Sequence, residues 1–139
     1  MGLEHIHSRN IVYRDVKSDN LLISAHPRMK LADFGSVHFL NDKKSFHRGQ
    51  GGTISYMSPE MRMGHNYDTK TDIWSLGMTL LHVLFYNETT FPNFDLSGPW
   101  SARDFARRQK YPSIELQAFV CSLFMKSSER PTATELLKV

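Results

Sequence analysis

Residues 13 to 20, YRDVKSDN, place two basic side chains, two aspartates, a serine and an asparagine side by side, with apolar NIV before them and LLI after. Charged clusters ordinarily lie on solvated faces. One framed by short core strands is the way a rigid scaffold presents reactive groups on a loop. Further along, Asp33 ends another strand-like run and is followed by Phe34 and Gly35. Asp15, Asn20 and Asp33 offer carboxylate and amide oxygens, hard ligands suited to Mg2+, which keeps most of its waters and leans on phosphate oxygens. Asp15 can accept a proton from an attacking hydroxyl, and Lys17 can reach a transferring phosphate. In DFG the metal-ligating acid is followed by an apolar anchor and a flexible residue. This division of labour suits phosphoryl transfer, where a protein mainly positions groups and balances charge. Taken singly, Asp15 and Asn20 are also ordinary turn formers, and Asp33 an ordinary hairpin end.

The elements that must hold these groups follow from periodicity. Gly2 to Ser8 reads as the end of a helix with Leu3, Ile6 and His7 on one face. His5 and His7 read as surface or packing residues near that helix end. Ile11 and Val12 form a very short strand. Leu21 to Ser24 and Met29 to Ala32 form two more, joined as a hairpin through AHPR. Phe34 to Ser58 has no sustained period and reads as a long loop, which is uncommon unless functional. Its glycines do not form a phosphate-binding GxGxxG, because position 54 is Ile54. Asp72 to Tyr86 is the strongest helix, apolar nearly all round, with Asp72 as its N-cap. Ser113 to Met125 and Thr132 to Val139 are further helices, with another at Ser101 to Gln109. The expected class is mainly α, a helical bundle around a central apolar helix with a short hairpin beside the reactive loop.

Composition narrows the function classes. The chain has 139 residues, 40% hydrophobic and 22% charged, which fits one globular domain. The net charge of +3 is mild, and the basic groups at 42–44 and Arg107–Lys110 are too short for a nucleic-acid stripe. The central helix is too short and polar to span a bilayer. No nucleic-acid or membrane partner is expected. The single cysteine, Cys121, reads as a small buried hydrophobe in a reducing compartment, so the expected location is the cytoplasm, with the nucleus second. Met1-Gly2 fails as a myristoylation signal because position 6 is Ile6, and Asn87-Glu88-Thr89 reads as a chance sequon.

These motifs together resemble the C-terminal lobe of a eukaryotic protein kinase of the Ser/Thr type. YRDVKSDN is similar to the catalytic loop HRDxKxxN, and DFG at 33–35 to the Mg2+-binding triplet. SPE at 58–60 resembles APE, DIWSLG at 72–77 resembles DxWSxG, and SERPT at 128–132 carries the arginine that pairs with the APE glutamate. One such triplet is weak; these stand in the family's order over nearly the whole chain. The resemblance implies Asp15 as catalytic base, Lys17 on the γ-phosphate, Asn20 and Asp33 on Mg2+, and Leu22 beneath the adenine of ATP. Tyr13 and Phe34 are then half of an aligning spine, with Gly35 behind them. Thr53 contacts the catalytic aspartate. Glu60 and Arg130 form a buried ion pair, and Asp72 holds the backbone of the catalytic loop. Tyr13 for the usual His, and Ser58 for Ala, are departures the family tolerates.

Lys17 after Asp15, and Thr53 in GGTISYMSPE, resemble Ser/Thr rather than Tyr kinases. The RPTATELL stretch resembles kinases of the MAP-kinase cascade. Arg14 beside Asp15 resembles kinases switched on by an activation-loop phosphate from an upstream kinase; Ser45 is the first candidate acceptor and Thr53 the second. The resemblance begins near the catalytic loop, so the ATP-holding N-terminal lobe is expected to be missing from residues 1–139. The chain alone is then expected to be inactive and marginally stable. The function read here is transfer of the ATP γ-phosphate to a protein substrate in the full-length context. The alternative is a non-catalytic, pseudokinase-like module that docks partners. Oligomeric state is left open.

Overall fold

The computed structural model describes residues 2–26, 28–41, 51–85 and 101–139. Ser45, the basic run at 42–44, Pro27 of the hairpin connection, Tyr86 and the sequon at 87–89 lie outside the described residues. The elements in chain order are α1 (Gly2–His7), β1 (Ile11–Val12), β2 (Leu21–Ile23), β3 (Met29–Leu31), β4 (His38–Phe39), α2 (Pro59–Arg62), α3 (Lys70–Phe85), α4 (Ser101–Arg108), α5 (Ile114–Ser122) and α6 (Ala133–Leu136). Tight 3-10 turns lie at Ser18–Asn20 and Ile54–Tyr56. The described chain is mostly helical with two small antiparallel sheets.

α3 is the post around which the rest packs. Ile73, Trp74, Met78 and Leu81 are all buried, each contributing roughly 1.5–3 kcal/mol by burial. One side meets Ala102, Ala106, Val120 and Phe124; another meets Leu123 and Ala133. Gly77 lets α5's end come close: a Cβ there would lie 2.8 Å from the Phe124 ring and 3.1 Å from Leu123 Cβ. Trp74 and Phe124 stack edge-to-face at 5.0 Å. Cys121 is half-buried against this core; burial pushes its thiol up, against the opposing pull of Arg107 and Arg103.

Three expectations need correction. α3 begins at Lys70, because Asp68 Oδ1 accepts the Lys70 N–H at 2.9 Å and starts the helix earlier. Asp72 is therefore inside the first turn, not at the cap, and its carboxylate is free to face another segment. The stretch from 34 to 58 is not wholly loop. β4 pairs with β1 (Ile11↔Phe39, Val12↔His38), and a 3-10 turn precedes Ser58, the N-cap of α2. A two-residue strand paired with a distant partner leaves no local period to read. α5 and α6 are shorter than their periodic stretches. Ser113 caps α5, and Thr132 with Glu135 forms a capping box on α6. The hairpin has register Leu21↔Leu31, Leu22↔Lys30 and Ile23↔Met29.

Candidate active site

β1 and the 3-10 turn at Ser18–Asn20 bracket the loop that carries Asp15. Asp15 Oδ1 accepts from Thr53 Oγ1 at 2.8 Å, and Oδ2 accepts from Asn20 Nδ2 at 2.9 Å. Lys17 Nζ sits 3.3 Å from Asp15 Oδ2 and donates to Thr53 Oγ1 at 2.8 Å. Asn20 Nδ2 also donates to the Asp15 backbone carbonyl at 2.9 Å, which turns the oxygen end of its carboxamide away from Asp15. Burial disfavours the Asp15 carboxylate. Hydrogen bonds from Thr53 and Asn20 and the Lys17 ammonium outweigh it and hold the carboxyl below its usual range.

Thr53 reaches this loop because Gly52 permits it. Gly52 has φ +82°, and a Cβ there would lie 1.9 Å from the Arg14 carbonyl oxygen. Only glycine fits both the dihedral and the approach. A Cβ at Gly51 would lie 2.8 Å from the Arg14 guanidinium carbon, a contact the flexible side chain can relieve.

The loop itself hangs on Asp72. Its Oδ2 accepts the Tyr13 N–H and its Oδ1 the Arg14 N–H, each at 2.8 Å. His7 Nε2 lies 2.8 Å from the same Oδ2. Arg14 takes φ 69°, and its Nε donates to the Ser36 carbonyl at 2.5 Å. The Tyr13 hydroxyl donates to the Ala32 carbonyl, tying this loop to the residue before Asp33. Its ring meets Phe34 edge-to-face at 5.5 Å. Burial, then the nearby charges of Asp15, Asp33 and Asp72, push the Tyr13 phenol up to about 12. Three acids thus lie around one phenol.

Asp33 is exposed, at φ 59°, and its Oδ1 accepts the Gly35 N–H at 3.0 Å. Among the described residues no hydrogen bond joins Asp33 to Asp15 or Asn20. What they share is the neighbourhood of Tyr13. Leu22 and Phe34 are about half exposed. Away from this cluster, Arg130 Nη1 and Nη2 reach Glu60 Oε1 and Oε2 at 2.6 and 3.2 Å. Arg130 also donates to the carbonyls of Lys70 and Met125 and lies 5.1 Å from the Trp74 ring centroid.

Among the described residues no group of three His, Cys, Asp or Glu side chains converges as a metal site, and no helix is long and apolar enough to cross a membrane. Asn20 and Asp33 still suit Mg2+ chemically: one amide oxygen and one carboxylate leave most of its shell to water and phosphate.

Sequence reasoning missed His7 and Gly52. His7 was legible as lying on the inward face of α1 with Leu3 and Ile6, and an inward-facing polar ring needs a partner. For Gly52, the only hint was a glycine pair directly before a threonine.

The protein kinase domain family model matches residues 1–139. The chain is 35% identical to the serine/threonine-protein kinase Nek5 of Mus musculus, over 99% of this chain and 23% of that protein. It is 30% identical to the serine/threonine-protein kinase STE20 of Yarrowia lipolytica, over 99% of this chain and 13% of that protein. Over 55% of this chain it is 48% identical to the serine/threonine-protein kinase pakA of Dictyostelium discoideum, 6% of whose length is covered. The chain spans less than a quarter of the length of these relatives.

Proposed function

Because this chain belongs to the protein kinase domain family, we propose that it carries the transfer machinery of a serine/threonine protein kinase, which passes the γ-phosphate of ATP to a hydroxyl of a protein substrate. The observation that carries this reading is the bonded cluster of Asp15, Lys17, Asn20 and Thr53.

Asp15 is held charged, so it orients the incoming hydroxyl and receives its proton as the new phosphorus–oxygen bond forms and the bond from the γ-phosphorus to the bridging oxygen of departing ADP breaks. Lys17 exchanges its bonds within the cluster for the γ-phosphate. Asn20 and Asp33 are the proposed Mg2+ ligands. When bound, Mg2+ neutralises charge on the phosphate oxygens. Leu22 offers a half-exposed apolar face for the adenine. Thr53 is committed to Asp15 and Lys17, so Ser45 is the better acceptor for an upstream kinase, with Arg14 as the cation that pairs with the added phosphate. The proposed setting is the cytoplasm or nucleus, where Cys121 stays reduced.

The test is labelled phosphate transfer from ATP and Mg2+ to a Ser/Thr peptide by the full-length protein. Asp15→Asn is expected to lower kcat by about 10²–10⁴-fold while the protein stays folded. Equal turnover by that variant would end the proposal.

A further inference from the structure

We infer that the groove between α4, α5 and α6 is a docking surface for a protein partner, fitted to an amphipathic helix with acidic residues along one edge of its apolar face and basic residues along the other. The inference stands apart from the kinase reading, because none of the groove residues belongs to the Asp15 cluster.

Packing fixes the walls. Ala102 and Ala106 of α4 pack with Val120 and Phe124, and Gln117 Nε2 donates to the Arg107 carbonyl at 3.3 Å. Ala133 and Leu136 of α6 pack with Leu123 and Phe119. α4 and α6 thus flank α5, whose Ala118, Cys121 and Ser122 line the space between them, a groove of about 810 Å3. Phe119, Met125 and Leu136 give it apolar surface, joined by Val139, which is 93% exposed. An apolar surface rimmed by charge marks a place of contact with another molecule.

The rim charges choose the occupant. Arg103 and Arg107 stand one turn apart on α4, a spacing at which like charges repel. Both reach the floor, since the Cys121 thiol feels both guanidiniums. Glu129, before α6, and Glu135, within it, line the groove from the other side, and both are exposed. Among the described residues no ion pair crosses the groove, so each wall has charge to offer. A uniformly acidic partner, nucleic acid included, is repelled by one wall, and a uniformly basic partner by the other. A partner with opposite charges on its two edges meets both. A strand is a poor fit, because helical walls present no unpaired backbone edge for it to join; a helix laying apolar side chains into the groove needs none.

The test is binding to the full-length protein, read by fluorescence anisotropy, of three designed helical peptides that share one leucine face. One carries glutamate on one edge and lysine on the other, one glutamate on both, one lysine on both. The mixed peptide is expected to bind about tenfold more tightly than either uniform one. Arg103→Glu with Arg107→Glu makes both walls acidic. It is expected to reverse the order, with the lysine peptide tightest, while phosphate transfer to a short Ser/Thr peptide stays unchanged. Exchanging the leucines for serine is expected to abolish binding. No binding of the mixed peptide, equal binding of all three, binding that survives the serine exchange, or an unaltered order in the double variant would each overturn the inference. So would self-association of the wild type in sedimentation that the double variant abolishes, because the occupant would then be a second copy. If the double glutamate variant does not fold, Arg103→Gln with Arg107→Gln takes its place, and the advantage of the mixed peptide over the lysine peptide is expected to vanish. If the wild-type protein transfers no phosphate, the kinase reading fails and the order of peptide binding still decides this one.

Discussion

Two charged centres organise this molecule, and they are built differently. Arg130 is 1% exposed at its side chain and, besides Glu60, binds backbone carbonyls of α3's first residue and of the turn after α5. Asp15 is 11% exposed at its side chain and is held by the side chains of Thr53, Asn20 and Lys17, all on loops or tight turns. A buried charge bonded to backbone has nowhere else to go, because its partners cannot turn away. A charge bonded to side chains can exchange them for substrate groups. The first arrangement fixes a frame; the second keeps chemistry available. Asp72 and Asp33 both accept backbone N–H bonds and differ in burial instead: Asp72 is sealed against the loop, and Asp33 is exposed beside Gly35.

The contrast can be broken, most severely at Arg130. Arg130→Met leaves Glu60 largely buried without its cation and is expected to destabilise the protein by about 3–5 kcal/mol, measured by denaturant unfolding. A loss under about 1 kcal/mol, the range of exposed pairs, would make the two centres equivalent. Gly52→Ala drives a Cβ to within 1.9 Å of the Arg14 carbonyl. The backbone must shift, at about 1–3 kcal/mol, and transfer activity should fall further than stability because Thr53 is carried off Asp15. Gly77→Ala sharpens the comparison from the frame side. Crowding against Phe124 costs about 1–3 kcal/mol, a better helix former returns about 1 kcal/mol, and the small net loss should leave turnover per folded molecule unchanged. The smallest effect is on pH. The folded-state pKa of Asp15 is lowered, so its contribution to stability is present above the ordinary value of 3.8 and is lost as pH falls through the folded value. Acid unfolding of Asp15→Asn should show less of that loss than wild type.

The sequence announces residues whose type is the message. Asp15, Lys17, Asn20 and Asp33 stand out because charged and amide groups interrupt apolar runs, and α3 stands out because it is apolar on every face. Legibility fails where the message is distance. Gly52 and Gly77 look like any loop or helix glycine until a carbonyl or a phenyl ring is seen against them. β4 is two residues long and finds its partner β1 across the hairpin, so no window of sequence contains the pair. Asp72 reads as a cap because aspartate prefers that position; α3 starts two residues earlier, where Asp68 accepts the Lys70 N–H, and Asp72 turns to Tyr13 and Arg14 instead.

Asn10, Arg14 and Asp33 all take left-handed backbone angles, at φ 58°, 69° and 59°. Asparagine and aspartate visit that region readily, and arginine does not. The peptide before Asp15 is thus a wound spring, kept under tension by a latch on a different helix. Open the latch and the spring uncoils toward ordinary angles, carrying Asp15 with it.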